Sequence, residues 1–409
     1  MAPIRVLTRQ LANQIAAGEV VERPSSVLKE LIENSLDSKA SAIEAETEQG
    51  GVKCIKVRDD GHGIEKEDLL LALRRYATSK IADVSDLDNI KTLGFRGEAL
   101  ASIASVSQLT LTSNAGSGRG WKVIGGNGDA DHAVVPAPHP SGTTVEVRDL
   151  FFNTPARRKF LKTEATENNH IENSIKKLAL SRFDVSFTLT HNKHTRYRLR
   201  WASSHEEKER RIADLCGLPF IQKSIYLDND RGEMRLWGWI SLPTSSRSQP
   251  DLQYFFVNGR SIRDKVVSHA VRQAYKDVIY SQRHAAFVLY LELSPADVDV
   301  NVHPTKNEVK FRDSRAIHGL IFQTLQQALA EFRPGQITKA CGDGQVEPHA
   351  ELHYAQPLSF KRSSVPVSTN RISSTQILSE LYSTNVVARS WANDGDPEVP
   401  PLGFALAQL

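Results

Sequence analysis

Hydrophobic residues recur with helical spacing between Pro24 and Asp37. Pro24 suits the first turn of a helix, where a backbone N–H needs no intrahelical partner. The apolar positions fall on one face of a helix with 3.6 residues per turn, and they are Val27, Leu28, Leu31, Ile32 and Leu36. The pattern predicts an amphipathic helix over residues 24–37.

After this helix the pattern changes to that of strands. Residues 43–48 alternate strictly between apolar and polar, which predicts a half-buried strand; a turn at Gln49–Gly51 and a second strand at 52–57 would complete a hairpin. Residues 69–76 are predicted to be helical and 83–96 to form a long loop. Further strands are predicted at 108–112, 142–147, 252–257 and 286–293.

Length and composition predict the domain organisation. The chain has 409 residues, more than one hydrophobic core usually spans, so we expect two folded domains, at 1–205 and 206–333. The charged run 205–211 reads as a solvated helix start or a domain junction. Seven of the 18 prolines fall in the last 76 residues, which predicts a disordered linker over 334–409. Its apolar end suggests that the chain stops before a further, dimerising domain.

Several protein classes are excluded or disfavoured by the sequence. No run of about 18 apolar residues is present, which excludes a transmembrane helix, and the N-terminus lacks the pattern of a secretory signal. The cysteines Cys54, Cys216 and Cys341 form no CxxC pair, which argues against a disulfide framework or zinc site and favours a reducing compartment. A net charge of +3 is too small to indicate nucleic-acid binding unless basic residues cluster locally.

The first helix carries candidate chemistry on its polar face. Glu30, Asn34 and Asp37 are spaced at i, i+4 and i+7 and so share one face. A carboxylate beside a carboxamide oxygen suits the activation of water and the binding of Mg²⁺. A plain polar stripe on an amphipathic helix explains the same spacing, so this pattern alone leaves both interpretations open.

The segment after the second strand is a candidate for base recognition. Asp59 is followed by Gly61 and Gly63, and glycines let the backbone turn sharply and approach a ligand closely. A carboxylate at this place can accept a hydrogen bond from an exocyclic amine such as that of adenine. An ordinary hairpin-type turn is the alternative, with His62 as a solvated turn residue.

Phosphate binding is suggested further along the chain. The tripeptide Thr78–Ser79–Lys80 precedes the long loop, and residues 94–100 close it with glycines and a helix predicted to begin near Glu98. Exposed backbone N–H groups and the positive end of a helix attract phosphate. A mobile surface loop is the alternative, with Arg96 as a phosphate contact or as a salt-bridge partner of Glu98. Residues 142–144, entering a strand, are uninformative alone.

In this order, segments 30–34, 59–63, 94–100 and 142–144 resemble the four nucleotide-binding motifs of the GHKL ATPases. This superfamily includes DNA gyrase, heat-shock chaperones, histidine kinases and the MutL family. Segments 11–24, 151–161 and 301–306 are similar to the MutL family of DNA mismatch-repair proteins, and the resemblance covers about residues 1–333. It implies an α+β fold: a GHKL (Bergerat-type) α/β sandwich followed by a smaller, ribosomal-protein-like α/β domain.

The resemblance also implies a role for each matching residue. Glu30 would be the general base that orients the attacking water, and Asn34 would bind the Mg²⁺ that bridges the phosphates of ATP. Asp59 would bind the adenine amine, and Lys306, from the second domain, would reach the γ-phosphate. The remaining nucleotide-binding residues would be Gly61, Gly63, Thr78, Ser79, Lys80, Gly94, Phe95, Arg96, Gly97, Leu100 and Thr143.

Two basic clusters are candidates for contact with the phosphate backbone of DNA. The first contains Arg157 and Arg158; Arg263 and Lys265 are the best candidates in the second, which comprises Arg260, Arg263, Lys265, Arg272, Lys276 and Arg283. Solvated helix faces are the alternative. The resemblance implies non-specific, salt-sensitive DNA binding, homodimerisation on ATP binding, and a cytoplasmic, nucleoid-associated role with no membrane.

Protein partners are also implied. These are the mismatch-recognition protein MutS and a repair helicase and nuclease. Residues 356–360 resemble short peptides that dock on the DNA sliding clamp. Three other functions stay open: a histidine kinase, the ATPase region of a type II topoisomerase, and a nucleotide-dependent scaffold that does not hydrolyse ATP. No endonuclease motif supports nuclease activity in this chain.

Overall fold

The computed structural model describes residues 15, 17–18, 20–81, 83, 92–94, 97–116, 118–125, 133–280, 282–299, 309–331 and 357–359. All of these belong to one structural unit, Met1–Lys361, and a second unit, Arg362–Leu409, contains no described residue. The predicted linker therefore lies almost wholly outside the described residues.

An eight-stranded sheet organises the first half of the chain. The order of its strands is β5-β4-β3-β6-β2-β1-β7-β8, and only the β1–β7 pair is parallel. Side chains on β1 alternate between buried and exposed as predicted. The strands are β1 (Ala42–Glu48), β2 (Cys54–Asp59), β3 (Gln108–Asn114), β4 (Trp121–Gly125), β5 (Val135–Pro136), β6 (Gly142–Arg148), β7 (Ser186–His191) and β8 (His194–Leu199).

Helices cover one face of this sheet. The predicted first helix, α1, is confirmed with the same limits, Pro24–Asp37, and its apolar face is buried in the core. It packs beside α4 (Glu164–Ser181), which is capped by the Thr163 hydroxyl accepting from the backbone N–H of Thr166. Two short helices, α2 (Ala99–Ser105) and α3 (Pro155–Phe160), complete this half.

The second half is built on a six-stranded sheet. Its order is β12-β11-β13-β10-β9-β16, and two helices, α7 (Lys265–Tyr275) and α8 (Ser314–Glu331), bury their apolar side chains against one face. The strands are β9 (Ser224–Asp230), β10 (Met234–Ser241), β11 (Gln253–Val257), β12 (Arg260–Ile262), β13 (Phe287–Leu293) and β16 (Pro357–Ser359); β14 (Val298–Asp299) and β15 (Lys310–Phe311) form a separate pair.

The other face of the second sheet continues the core of the first half. Two helices, α5 (His205–Cys216) and α6 (Leu218–Gln222), contribute to this core. Tyr290 on β13 stacks on Trp237 and donates a hydrogen bond of 2.8 Å to the carbonyl oxygen of Leu180 in α4. The two sheets are therefore joined by a continuous apolar layer.

Two local predictions differ from the structure. Residues 69–76 form only a single 3₁₀ turn, Leu71–Leu73, because the backbone is extended at Arg74 (φ −91°, ψ 147°) and Tyr76 has a positive φ of 62°. The run 205–211 begins α5 with a capping box at Ser204, as expected of a helix start, but it is not solvated throughout. Arg211 is 3% exposed, and its guanidinium donates hydrogen bonds to the buried carbonyl groups of Ala179 and Val185.

The combination of two sheets with helices on their faces confirms the predicted α+β class. Among the residues that the structure describes, no helix has both the length and the apolar character needed to cross a membrane. Within the expected linker, Pro357–Ser359 pairs in parallel with β9 as an edge strand. The limits 1–205, 206–333 and 334–409 stay a prediction.

Candidate active site

The polar face of α1 lines a cleft of about 1130 Å³. This cleft gathers residues from distant parts of the sequence, as predicted for a nucleotide site. The predicted residues that line it are Glu30, Asn34, Asp59, Gly63, Thr78, Ser79, Lys80, Gly94, Gly97, Leu100 and Thr143. Three predicted residues, Phe95, Arg96 and Lys306, lie outside the described residues.

Asp59 lies at the end of β2 and is 7% exposed. Its Oδ2 accepts a hydrogen bond of 2.7 Å from the Ser35 hydroxyl, and its Oδ1 accepts from the backbone N–H groups of Gly61 (3.0 Å) and Thr143 (3.3 Å). Burial raises the pKa of Asp59 although these three hydrogen bonds favour the ionised form. The carboxylate is thus fixed in orientation beside the cleft.

Close backbone contacts explain the two glycines that follow Asp59. A Cβ atom at Gly61 would lie 2.2 Å from the hydroxyl oxygen of Ser38, and at Gly63 it would lie 2.3 Å from the carbonyl oxygen of Asn114. Gly63 also has a φ of 74°, which disfavours other residues. The glycines let this loop pack against α1 and β3, and Gly61 supports Asp59 without lining the cleft.

Asn34 and Asp37 occupy the centre of the polar face of α1. The Lys80 ammonium donates to Oδ1 of Asn34 at 2.8 Å and to Oδ2 of Asp37 at 2.5 Å. The backbone N–H groups of Leu93 and Gly94 donate to Oδ1 and Oδ2 of Asp37 at 2.8 and 2.9 Å. Asp37 therefore joins both edges of the predicted loop to α1.

Glu30 lies one helical turn before Asn34, is half-buried, and lines the same cleft. A carboxylate and a carboxamide oxygen on adjacent turns give the cleft a candidate general base beside an oxygen ligand for a hard cation. Asp59 lies on β2, which packs against the same helix. The predicted base, metal ligand and adenine-binding carboxylate thus share one cavity.

Some residues of the site were not predicted. Ser35 orients Asp59, and its signal in the sequence is a serine interrupting the apolar stripe of α1. Arg260, on β12, also lines the cleft; it is 9% exposed and donates a hydrogen bond to the carbonyl oxygen of Thr92. Burial lowers the pKa of Arg260, although the nearby carboxylates of Glu33 and Asp37 oppose this shift.

The candidate DNA-binding residues differ in exposure. Arg158, Arg263 and Lys265 are exposed, as backbone phosphate contacts must be. Arg157 instead faces Gly18, where a Cβ atom would lie 2.5 Å from its Nη2. Since Arg260 is buried and bonded to Thr92, it does not belong to the exposed part of the second basic cluster.

Two protein families match this chain, one in each half. Residues 22–125 match the family described as histidine kinase-, DNA gyrase B-, and HSP90-like ATPase. Residues 212–330 match the family described as DNA mismatch repair protein, C-terminal domain. The DNA mismatch repair protein MutL of Cellvibrio japonicus is 50% identical over 440 residues, an alignment that covers all of this chain and 70% of that protein. The chain belongs to the MutL family of DNA mismatch repair proteins.

Solved structures agree with this membership. The Aquifex aeolicus MutL ATPase domain complexed with ADP matches with a TM-score of 0.53 and 28% identity, covering 77% of this chain and all of that domain. The N-terminal domain of a DNA repair protein matches with a TM-score of 0.66, 24% identity and coverage of 78% and 98%, which shows a shared fold. This MutL-family chain therefore carries a GHKL ATPase domain and is an ATPase; the topoisomerase alternative is not favoured.

Proposed function

We propose that the cleft beside α1 binds ATP with Mg²⁺ and hydrolyses it to ADP and phosphate. The observation that carries this proposal is the convergence of Glu30, Asn34 and Asp59 on one cavity, with Asp59 held by three hydrogen bonds. In this assignment Asp59 accepts a hydrogen bond from the adenine amine. Thr143 lies beside it, and Gly61 and Gly63 shape the loop that borders the base.

Glu30 is the proposed general base. Its carboxylate orients the water that attacks the γ-phosphate and accepts a proton from it, while catalysis depends mainly on positioning and charge neutralisation. The other proposed nucleotide-binding residues line the same cavity, which supports this assignment. They are Thr78, Ser79, Lys80, Gly94, Gly97 and Leu100. For Phe95, Arg96 and Lys306, the assignment to phosphate contacts rests on the family resemblance alone.

The residues present fit a magnesium ion. The side-chain oxygen of Asn34 is the neutral oxygen ligand that Mg²⁺ accepts, and the remaining ligands would come from phosphates and water, as is usual for this ion. Bound there, Mg²⁺ would neutralise charge on the phosphates. Asn34 is therefore the proposed metal ligand.

The chain is proposed to act as an ATP-gated, DNA-associated mediator of mismatch repair. ATP binding would promote homodimerisation. Arg158, Arg263 and Lys265 would bind DNA without reading its sequence. The proposed partners are MutS, a repair helicase and nuclease, and the sliding clamp, which would bind residues 356–360. The proposed location is the nucleoid in the cytoplasm. We assign nucleotide binding to residues 1–205 and the DNA-contacting second domain to 206–333, with 334–409 as a linker.

ATP hydrolysis by a Glu30→Ala variant tests the proposed base. Wild-type protein should release phosphate in the presence of Mg²⁺, and the variant should bind ATP but lose at least about 100-fold in rate, the typical contribution of a general base. Glu65→Ala is a matched control, because Glu65 is exposed on the lining of the same cleft. Full turnover by Glu30→Ala would refute the assignment, and no turnover by the wild type would favour a scaffold.

DNA binding is tested by its salt dependence. Replacing Arg263 and Lys265 by Glu should weaken binding to DNA of any sequence and reduce the slope of log K against log salt. Arg198→Glu, which changes an exposed arginine on β8, should leave both quantities unchanged. If Arg198→Glu weakened DNA binding as much as the replacement of Arg263 and Lys265, DNA would not contact the second domain at Arg263 and Lys265.

A further inference from the structure

Lys80 has an unusual position for a residue expected to contact phosphate. Its ammonium group lies on the polar face of α1, 2.8 Å from Oδ1 of Asn34 and 2.5 Å from Oδ2 of Asp37. The side chain of Asp37 is 8% exposed and that of Lys80 is 20% exposed. The charge pair is therefore well shielded from water. Charge-assisted hydrogen bonds are stronger in such a shielded place than in bulk water.

The amide oxygen that Lys80 contacts is the proposed metal ligand. Mg²⁺ binds oxygen at about 2.0–2.1 Å in nearly regular octahedral geometry. An ammonium group at 2.8 Å from the same oxygen of Asn34 would place a second cation within a few ångströms of the metal. The repulsion between two cations at that separation opposes binding of the metal and the ammonium group to this oxygen at the same time.

The surrounding loop is shaped to hold the ammonium group in this place. A Cβ atom at Gly94 would lie 3.0 Å from Nζ of Lys80, 3.5 Å from Oδ2 of Asp37 and 3.6 Å from Oδ1 of Asn34. The backbone N–H of Gly94 also donates to Asp37. A residue without a side chain at this position allows Lys80 and the loop to reach the same two acceptors.

We propose that Lys80 is an internal counter-ion that occupies the metal-binding oxygen of Asn34 until Mg²⁺ arrives with the nucleotide. Binding of the metal displaces the ammonium group, so Lys80 is a positioning residue that sets the Mg²⁺ requirement of the site. This inference rests on the proposed function, because it assumes that Asn34 binds the metal of an ATP complex.

Titration with Mg²⁺ tests the exchange. A fluorescent, non-hydrolysable ATP analogue would be bound to the full chain over a range of Mg²⁺ concentrations, for the wild type and for Lys80→Met, Lys80→Arg and Lys53→Met. Removing the competing cation should lower the Mg²⁺ concentration for half-maximal binding about ten-fold, since at least one charge-assisted hydrogen bond no longer opposes the metal. Lys80→Arg, which keeps the charge, should stay near the wild-type midpoint.

Lys53→Met is the matched control. It also removes a lysine from an ion pair, with Glu48 at 2.8 Å, but this pair lies at the exposed surface just before β2. The Mg²⁺ concentration for half-maximal binding of the analogue should be the same for Lys53→Met as for the wild type. An unchanged midpoint in Lys80→Met would overturn the inference, and so would weaker binding at every Mg²⁺ concentration, which would make Lys80 a plain phosphate ligand. If the wild type bound no nucleotide at any Mg²⁺ concentration, the proposed function itself would fall.

Discussion

Asp59→Asn removes a charge from the cleft but keeps the shape of the side chain. In the wild type, Oδ1 accepts from two backbone N–H groups, those of Gly61 and Thr143, while Oδ2 accepts from the Ser35 hydroxyl. The amide oxygen of the substituted side chain can keep both backbone hydrogen bonds, and its amino group can donate to Ser35 with the direction reversed. We therefore expect the variant to fold.

The stability of the variant follows from the direction of the pKa shift. Burial raises the pKa of Asp59 above its ordinary value of 3.8, so the folded state binds the proton more tightly than the unfolded state. The resulting stability is present below the unfolded pKa and is lost as the pH rises through the folded pKa. At neutral pH the wild type carries the full cost of a buried charge, and Asp59→Asn should be at least as stable.

The affinity of Asp59→Asn for ATP should fall, although its stability should not. An amino group at the position of Oδ2 cannot accept a hydrogen bond from the adenine amine, and losing a hydrogen bond to a charged group costs about 1.5–3 kcal/mol. That loss corresponds to about a 10- to 100-fold weaker binding of ATP. ITP carries a carbonyl oxygen where adenine carries its amine, so its disadvantage relative to ATP should largely disappear.

Isothermal titration of ATP and ITP, with thermal unfolding of the same samples, checks both expectations. The expected result for Asp59→Asn is weaker ATP binding, a smaller preference for ATP over ITP, and an unfolding temperature at or above that of the wild type. Unchanged ATP affinity in a stable variant would refute the role of Asp59 in adenine recognition. A large loss of stability would refute the reasoning about the buried charge.

Three further predictions concern stability, reactivity and assembly. Arg211→Ala should lower the free energy of unfolding in urea by about 3 kcal/mol, because it removes the guanidinium hydrogen bonds to the buried carbonyl groups of Ala179 and Val185; a change below about 1 kcal/mol would contradict this. Burial raises the pKa of Cys54 and raises that of Cys216 to about 12, so mass spectrometry after iodoacetamide treatment at pH 8 should find both thiols unmodified in the native chain and modified in urea. The chain should sediment mainly as a monomer without nucleotide and as a dimer with a non-hydrolysable ATP analogue and Mg²⁺, and an unchanged sedimentation coefficient would contradict ATP-gated dimerisation.

The sequence predicted those elements in which the apolar pattern is periodic and local. The helix Pro24–Asp37 was predicted with its observed limits, and the β1–β2 hairpin was confirmed with strand β2 displaced by two residues, to Cys54–Asp59. The helix predicted at residues 69–76 was wrong because its four leucines imitate a helical pattern over too few turns. Positive φ at Tyr76 depends on the neighbouring loop, where its N–H donates to the carbonyl of Gly97.

Within the site, motif spacing identified side chains but not their partners. The spacing of Glu30, Asn34 and Asp37 placed them on one face, whereas the attachment of Lys80 and the 92–94 loop to Asp37 joins segments more than 40 residues apart. Arg260 was grouped with exposed basic residues because its charge gave no sign of burial. Contacts of this kind depend on the tertiary fold, and local sequence patterns do not encode them directly.

Hydrogen–deuterium exchange with and without a non-hydrolysable ATP analogue and Mg²⁺ tests the central claim, that the cleft beside α1 is the nucleotide site. We expect slower exchange at backbone amides of residues 59–64 and 142–145, which border Asp59. A second cleft, lined by Lys223, Arg247 and Arg283, should show no change. Protection confined to that second cleft, or no protection near Asp59 at saturating nucleotide, would contradict the account.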